Sequence, residues 1–212
     1  MTGESATQCS DDWRETLDRY GFVVLDDHSL AQVAPALGRP GTSALLTPHD
    51  RHRADPWSLS GVYGQDAFPW HTDGAVSARP PRWLVLRAVQ INDAPPTELL
   101  DPAPALLAEL RRTVLKVTDR RGRVRYLPAA NHEPEPESGR GDGRWRLRWD
   151  PRTCVPRAGV TIDEVSARAP TGTVQWHEGR IAIVDNHRLM HRRPPVPRES
   201  ERVLERTYFW DE

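Results

Sequence analysis

The short segment Trp70–Gly74, which reads Trp-His-Thr-Asp-Gly, carries the residues best suited to chemistry in this sequence. His71 and Asp73 are two positions apart, so in an extended segment their side chains lie on the same side. An imidazole and a carboxylate placed together in this way can occupy two adjacent positions around a divalent metal ion. A hydrogen bond between the two side chains in an ordinary loop is the alternative. The pattern therefore predicts part of a metal site.

A second polar segment follows the apolar run 181–184 and contains His187 and His191. Either histidine could complete a set of two histidines and one carboxylate with His71 and Asp73. Such a set binds Fe(II) on one face and leaves the opposite positions open for substrate and O₂. Because His187 and His191 are four residues apart, on a helix they could instead share a Zn²⁺ ion. Two unrelated histidines in a surface turn are the simplest alternative.

The third feature is a pair of arginines, Arg202 and Arg206, in the apolar-rich segment that ends the chain. In a strand, an even separation places both side chains on one side, with Leu204 between them. If that side faces the interior, two guanidinium groups are buried, which is costly without an anion. A carboxylate held in bidentate fashion by arginine would offset this cost. The alternative is that this side of the strand faces solvent. Tyr208 lies on the same side of the strand, and its aromatic ring favours the interior.

Several short elements must position these residues. Helical spacing predicts helices over 11–20, 30–37 and 101–118, and apolar runs or alternation predict strands over 22–25, 83–91, 145–149, 173–176, 181–184 and 203–210. A long loop is predicted over 39–69 and an exposed, charged insertion over 119–144. The order indicates an α+β, mainly β protein: a jelly roll (double-stranded β-helix) with flanking N-terminal helices and a helical insertion.

Composition excludes several other classes of protein. The 212 residues fit one domain over 1–212, and the net charge of −1 argues against binding to nucleic acid or to a membrane surface. No apolar run approaches the roughly 20 residues of a membrane span, and the polar N-terminus leads us to expect a cytoplasmic protein. Cys9 and Cys154 are the only cysteines, which excludes a disulfide framework. Phosphate-loop, dinucleotide-binding and serine-hydrolase motifs are absent from the sequence.

The motifs together resemble a known family. The sequences FPWHTDGA, RPPRWLVLR, IVDNHRLMHRR and RESERVLERT occur in the order of the metal and arginine segments of Fe(II)/2-oxoglutarate-dependent dioxygenases of the taurine dioxygenase and clavaminate synthase-like superfamily. The resemblance covers about residues 58–210. By position, it implies that His71, Asp73 and His191 are the iron ligands, with His191 preferred to His187.

The same resemblance implies sites for the cosubstrate. Arg202, 11 residues after His191, would bind the distal carboxylate of 2-oxoglutarate, and Thr97 falls where the family often places a threonine that contacts the same carboxylate. Arg206 matches a second arginine that approaches the other end of the cosubstrate or an anionic group of the substrate.

The resemblance thus implies Fe(II), 2-oxoglutarate and O₂ as cofactor and cosubstrates, and oxidation of an unactivated C–H bond with release of succinate and CO₂. Because Asp73 supplies a carboxylate, hydroxylation is expected rather than halogenation. The expected substrate is a small molecule such as an amino acid or a natural-product intermediate, whose identity the sequence leaves open, as it does the oligomeric state. A zinc-dependent metalloenzyme using His187 and His191, or a non-catalytic jelly-roll binding module, are the alternatives.

Overall fold

A computed structural model of the chain describes residues 12–48, 51–133 and 144–211. The α-helices are α1 (Asp12–Tyr20), α2 (Leu30–Val33), α3 (Leu59–Tyr63), α4 (Pro104–Arg112) and α5 (Ile162–Ser166), with 3-10 turns at Ala34–Ala36 and Arg51–Arg53. The strands are β1 (Phe22–Leu25), β2 (Arg39–Pro40), β3 (Ala44–Leu46), β4 (Trp83–Asn92), β5 (Thr97–Leu100), β6 (Val114–Thr118), β7 (Val124–Pro128), β8 (Ala130–Glu133), β9 (Arg144–Leu147), β10 (Cys154–Ala158), β11 (Gly172–Val174), β12 (Ile181–Asp185), β13 (Met190–Arg192) and β14 (Glu201–Trp210). The protein is mainly β. Within the described ranges, no helix combines the length and the apolar character needed to cross a membrane.

The largest sheet is antiparallel and has the order β1-β12-β4-β14-β2, with β3 also paired to β14. Its two longest strands, β4 and β14, have ten residues each and run side by side. A smaller antiparallel sheet has the order β11-β5-β13. The strands β10-β6-β7 and the pair β8-β9 form two further antiparallel groups. The site described below uses β14 of the large sheet and β5 and β13 of the small one.

Apolar side chains cover both faces of the large sheet, which explains why β4 and β12 are almost continuously apolar. On the outer face, Trp83, Val85 and Phe209 pack with Leu17 of α1 and Val33 of α2. The inner face packs against the small sheet in a cluster that contains Leu84, Leu86, Leu99, Val174, Ala182, Val184, Leu189 and Leu204. Alternation along β14 places Leu204 and Tyr208 on this inner face, and Arg202 and Arg206 lie on the same side.

Most of the predicted elements are confirmed. Helix α1 and strands β1, β4, β12 and β14 lie within one or two residues of their predicted bounds; Asp11, the first residue of the predicted helix, lies outside the described residues. The second predicted helix is confirmed as α2 followed by a 3-10 turn. Trp145 and Leu147 lie in β9 as predicted, and β11 covers part of the predicted strand 173–176.

The predicted helix over 101–118 is wrong in its second half. Helix α4 ends at Arg112, and Thr113 adopts an extended conformation while its hydroxyl donates to the Glu109 carbonyl at 2.9 Å. The next residues form β6, in which Leu115 and Val117 are buried between β7 and β10. Apolar residues at 110, 114 and 117 fit a helical spacing, but the β-branched residues of this segment also favour a strand, and pairing on both sides stabilises the strand.

Two predicted irregular segments contain regular structure. The segment 39–69 holds β2, β3, a 3-10 turn and α3, so the predicted long loop contains short regular elements, and several of its residues line the cavity described below. The insertion over 119–144 contains β7 and β8, and residues 134–143 of it lie outside the described residues. In β7 exposed and half-buried positions alternate, but Val124 and Tyr126 lie at exposed positions and Arg125 at a half-buried one, so the residue types carry no strand signal.

Candidate metal and anion site

A single antiparallel bridge brings the two histidines of the candidate metal site together. The backbone N–H of His71 donates to the carbonyl of His191 at 3.0 Å, and the N–H of His191 donates to the carbonyl of His71 at 2.9 Å. Residues that exchange both hydrogen bonds lie directly opposite each other, with their side chains on the same face. The two imidazole rings are accordingly 4.1 Å apart between centroids. Local backbone pairing thus bridges a separation of 120 residues in the sequence.

Asp73 completes a compact group of three side chains. One carboxylate oxygen lies 3.9 Å from Nε2 of His71, and the other lies 3.7 Å from Nε2 of His191. One ligand atom from each of the three residues lies within 4.8 Å of the other two. Both histidines are buried, at 4% and 6% exposure. Two imidazole nitrogens and a carboxylate at these separations could hold a divalent metal ion.

The tautomer of His71 suits metal binding. Its Nδ1 lies 2.9 Å from the carbonyl of Pro69. Because a carbonyl only accepts, Nδ1 is the nitrogen that donates, and in the neutral ring the lone pair is left on Nε2, which faces Asp73. Burial, together with the neighbouring His71, lowers the pKa of His191 to about 3, so this imidazole is also neutral at physiological pH. The hydrogen bond of His71 leaves its Nε2 directed toward Asp73, and the lowered pKa of His191 leaves that ring with a free lone pair.

The carboxylate of Asp73 is held in its ionised form. Burial opposes ionisation, but the neighbouring histidines, the guanidinium of Arg206 and a hydrogen bond from the hydroxyl of Tyr208 outweigh it, and the pKa of Asp73 is lowered from its usual range. Burial and the same hydrogen bond raise the pKa of Tyr208. The three ligand atoms are thus all electron-pair donors, which fits a cation between them.

Asn186 fixes the backbone of Asp73 from the neighbouring segment. Its side-chain oxygen accepts from the backbone N–H of Asp73 at 2.7 Å, and its side-chain nitrogen donates to the carbonyls of Asp73 at 3.0 Å and Pro81 at 2.8 Å. Asn186 is fully buried. None of the sequence motifs assigns Asn186 a role, and the available signal is its place directly after the buried strand β12.

The opposite part of the site is built around Arg202. This residue is only 8% exposed, and its Nη2 donates to the hydroxyl oxygen of Thr97 at 2.9 Å. The indole N–H of Trp176 donates to the same oxygen at 3.1 Å. A threonine hydroxyl has two acceptor positions and one proton, so the proton of Thr97 remains for a third partner. Arg202 takes part in none of the ion pairs of the described residues.

Arg206 lies on the same side of β14 as Arg202 and lines the same cavity. Its guanidinium stacks on the ring of Tyr208, 4.5 Å from the centroid, and its charge acts on Asp73. Like Arg202, it is in no ion pair among residues 12–48, 51–133 and 144–211. It is half-buried, and its charge acts on Asp73 at one end of the cavity.

One cavity of about 530 Å³ joins all of these groups. It is lined by the six residues that the family resemblance assigns to the iron and the cosubstrate: His71, Asp73, Thr97, His191, Arg202 and Arg206. Leu45, Leu46 and Trp57 of the segment 39–69 cover it, and Arg152 lines it from the region 120–160. A volume of this size is typical of sites for small molecules.

His187 does not join the metal-binding group. It lies in the turn between β12 and β13, where its backbone N–H donates to the Asp185 carboxylate at 2.9 Å and its Nε2 is 3.3 Å from the Pro80 carbonyl. His191 lies in β13. The two histidines therefore do not share a helix, and the alternative in which they bind a zinc ion together from one helix face is wrong.

No protein-family model matches the chain, and no curated protein matches it in sequence. Solved structures do match. A taurine dioxygenase from Burkholderia xenovorans is 19% identical with a TM-score of 0.62, and the match covers 94% of this chain and 80% of that one. An asparagine oxygenase in complex with Fe(II), 2S,3S-3-hydroxyasparagine and succinate is 18% identical with a TM-score of 0.69, covering 92% and 77%.

A mutant of the non-heme iron oxygenase OrfP, in complex with (3S)-hydroxy-L-Arg, is 19% identical with a TM-score of 0.70, and the match covers 94% of this chain and 78% of that one. These similarities extend over nearly the whole chain, and they agree with the resemblance drawn from the sequence motifs. The chain therefore has the fold of the taurine dioxygenase-like iron oxygenases.

Proposed function

We propose that the protein is an Fe(II)- and 2-oxoglutarate-dependent oxygenase that oxidises an unactivated C–H bond of a small molecule, with release of succinate and CO₂. The observation that carries this proposal is the pairing, in one cavity, of a group that only donates electron pairs with a group that only donates hydrogen bonds. The first suits a divalent cation and the second suits a carboxylate. A keto acid with a distal carboxylate satisfies both.

In this proposal His71, Asp73 and His191 hold the iron. The lowered pKa values of Asp73 and His191 mean that these two ligands need lose no proton when the metal binds near neutral pH, which favours binding. When bound, Fe(II) with 2-oxoglutarate and O₂ supplies an oxidant strong enough to remove hydrogen from an unactivated carbon. The chain orients the substrate and excludes other reactants.

Arg202 and Thr97 bind the distal carboxylate of 2-oxoglutarate. The guanidinium supplies charge, and the remaining hydroxyl proton of Thr97 supplies a further hydrogen bond. The cost of burying Arg202 without an anion is then offset by the ligand. Arg206, whose charge acts on Asp73, binds the metal-proximal end of the cosubstrate or an anionic group of the substrate.

We also propose that the chain forms one oxygenase domain over 1–212 with the double-stranded β-helix arrangement. The cluster of apolar side chains between the large sheet and the sheet β11-β5-β13 supports it, because these are two sheets packed face to face around the site. The similar structures support it as well.

For the substrate, we propose a small molecule such as an amino acid or a natural-product intermediate, with hydroxylation as the outcome. Two of the similar structures contain hydroxylated amino acids. The carboxylate of Asp73 would take the position on the metal that a halide needs, which supports hydroxylation. We propose no nucleic-acid ligand, in line with the net charge of −1.

The test is an anaerobic titration of the metal-free protein with Fe(II) and then 2-oxoglutarate, followed by the visible charge-transfer band of the chelate. We expect the band in the wild type, no band in His71→Ala, and a band that needs far more 2-oxoglutarate in Arg202→Ala. His187→Ala is the matched control and leaves the titration unchanged.

Absence of the band, together with weak Fe(II) binding by the wild type, would contradict the proposal. Tight Zn²⁺ binding without a response to 2-oxoglutarate would then favour a zinc enzyme. Binding of neither metal would favour a binding module that keeps the fold without the chemistry.

A further inference from the structure

A second buried arginine lies beside Arg202 and has no role in the function proposed so far. Arg193 is two residues after His191, is only 5% exposed, and lines the same cavity as Arg202 and Thr97. The side chain of the preceding residue, Arg192, instead forms an ion pair with Glu98 and stacks on Trp70. Arg192 is thus in an ion pair, whereas Arg193 is in none among the described residues, and the charge of Asp66 acts on it only from a greater distance.

The hydrogen bonds of Arg193 leave one of its donor groups unused. Its Nη2 donates to the carbonyls of Gly64 at 2.9 Å and Asp66 at 3.0 Å, and the guanidinium stacks on Phe68, 3.9 Å from the ring centroid. Its Nη1 is buried and has no hydrogen-bond partner among the described residues. No carboxylate of those residues lies within ion-pair distance of Arg193.

Two buried guanidinium groups that share a cavity repel each other. Burial lowers the pKa of Arg202, and the positive charge of Arg193 lowers it further, so the two groups are close enough to interact. A buried charge without a partner is costly, and a second like charge increases that cost. An anion that contacts both groups would remove the desolvation cost and the repulsion together.

We propose that Arg193 is a second cation for the distal carboxylate of the keto acid, which it contacts through Nη1 while Arg202 and Thr97 contact it from the other side. The inference rests on the proposed function, because that function supplies the carboxylate. It adds a residue that determines cosubstrate specificity: two guanidinium groups select a keto acid with a distal negative charge over a keto acid with an apolar end.

A purely structural role for Arg193 makes a different prediction. Its Nη2 and the stack on Phe68 tie the segment 64–68 to β13, and this tie alone could explain the burial. Loss of such a tie would loosen the cover of the cavity and weaken the binding of every keto acid to a similar degree. Loss of a charge contact would weaken the binding only of keto acids that carry a distal carboxylate.

The experiment compares 2-oxoglutarate with 2-oxopentanoate, which has the same five-carbon chain and the same metal-binding end but no distal carboxylate. Dissociation constants of both are measured by calorimetry on the Mn(II)-loaded protein, for the wild type, Arg193→Gln, Arg193→Lys and Phe68→Leu. Phe68→Leu is the control that disturbs the stack and keeps the charge. Melting temperatures show whether each variant is folded.

We expect Arg193→Gln to weaken the binding of 2-oxoglutarate by about 10- to 100-fold, which is the range for a hydrogen bond to a charged group. The binding of 2-oxopentanoate should weaken by less than about threefold. Arg193→Lys keeps the charge without the planar fork and recovers part of the loss. Phe68→Leu changes the dissociation constants of both keto acids by the same small factor. If Arg193→Gln does not fold, Arg193→Lys provides the test, with a loss of about three- to tenfold for 2-oxoglutarate alone.

An equal loss for both keto acids in Arg193→Gln would overturn the inference in favour of the structural tie. No loss for either would also overturn it. Failure of the wild type to bind any keto acid while it binds Mn(II) would instead contradict the proposed function, so the two failures are distinguishable.

Discussion

The metal-binding end and the arginine end of the cavity are opposite in chemistry and in construction. His71, Asp73 and His191 offer only electron pairs, whereas Arg202, with the remaining proton of Thr97, offers only hydrogen-bond donors. Each end by itself is an unbalanced group of buried polar atoms. A ligand that carries a metal-chelating group at one end and an anion at the other balances both. In the proposed function the two ends therefore form one site for a ligand that bridges them.

The two ends also differ in how the chain assembles them. Arg202 and Arg206 lie on one continuous strand, β14, whose long pairing with β4 fixes their direction. His71 and His191 come from distant segments that meet in a single bridge, and Asn186 then fixes Asp73. The arginine end therefore depends on a large sheet, and the metal-binding end depends on a few specific hydrogen bonds.

The largest expected effect is on thermal stability when both ends are filled. Mn(II) at about 100 times its dissociation constant should stabilise the protein by about 2.7 kcal/mol, which raises the melting temperature by about 5–10 °C for a chain of this size. Added 2-oxoglutarate should raise it further only when the metal is present, because the ligand bridges the two ends. Thermal unfolding with metal, keto acid and both checks this.

The matched variants assign each part of that shift to one end. Arg202→Gln should keep the shift from metal and lose the added shift from keto acid, whereas His71→Ala should lose both. A full keto-acid shift in the metal-free protein would show that the two ends bind independently and would contradict a ligand that bridges them.

Asn186→Ala is expected to weaken metal binding, although Asn186 itself is not one of the proposed metal ligands. The change frees the backbone of Asp73 and leaves its buried N–H without a partner, so metal affinity should fall by about 10- to 100-fold, as for other residues that orient metal ligands. The free energy of unfolding should fall by about 1–3 kcal/mol for the unsatisfied groups. Calorimetry with Mn(II) measures the affinity, and the exposed Asn92→Ala is the control.

Metal affinity equal to that of the wild type in folded Asn186→Ala would contradict this role. It would mean that the bridge between His71 and His191 alone is enough to position Asp73.

The same difference between the two ends explains what the sequence could predict. The alternation of β14 requires no knowledge of the rest of the fold, so the shared side of Arg202 and Arg206 followed from a period of two. The spacing of His71 and Asp73 likewise predicted neighbouring side chains. The choice of His191 over His187 came only from the family resemblance, because the bridge that selects His191 forms between segments 120 residues apart.

Residues whose roles depend on contacts across the fold could not be predicted in this way. Asn186, Trp176 and Arg193 act through partners more than 70 residues away in sequence. The error at β6 has a related cause, since apolar residues there fit both a helix and a strand. Pairing with β7 and β10, which no local pattern contains, decides between them.

Thr97→Val is expected to affect the arginine end alone. The change keeps the shape of the side chain, removes the proton that a carboxylate would accept, and leaves Nη2 of Arg202 without its acceptor. We expect about tenfold weaker binding of 2-oxoglutarate to the Mn(II)-loaded protein and unchanged metal affinity. Calorimetry measures both, and the exposed Thr173→Val on β11 is the control. Unchanged 2-oxoglutarate affinity would remove Thr97 from the anion site.

Trp176→Phe should give the smallest effect and the sharpest test of how far the two ends are separate. The phenylalanine keeps an aromatic ring beside Arg202 but no longer donates to the hydroxyl oxygen of Thr97, which can then turn its proton away from the ligand. Because a neutral hydrogen bond contributes about 0.5–1 kcal/mol, we expect 2-oxoglutarate to bind about two- to fivefold more weakly. Trp145→Phe, on β9, is the control. If Trp176→Phe weakened Mn(II) binding as much as 2-oxoglutarate binding, the small sheet would couple the two ends directly. The strand β5 carries Thr97 and pairs with β13, which carries His191, so such a coupling would pass through this pairing.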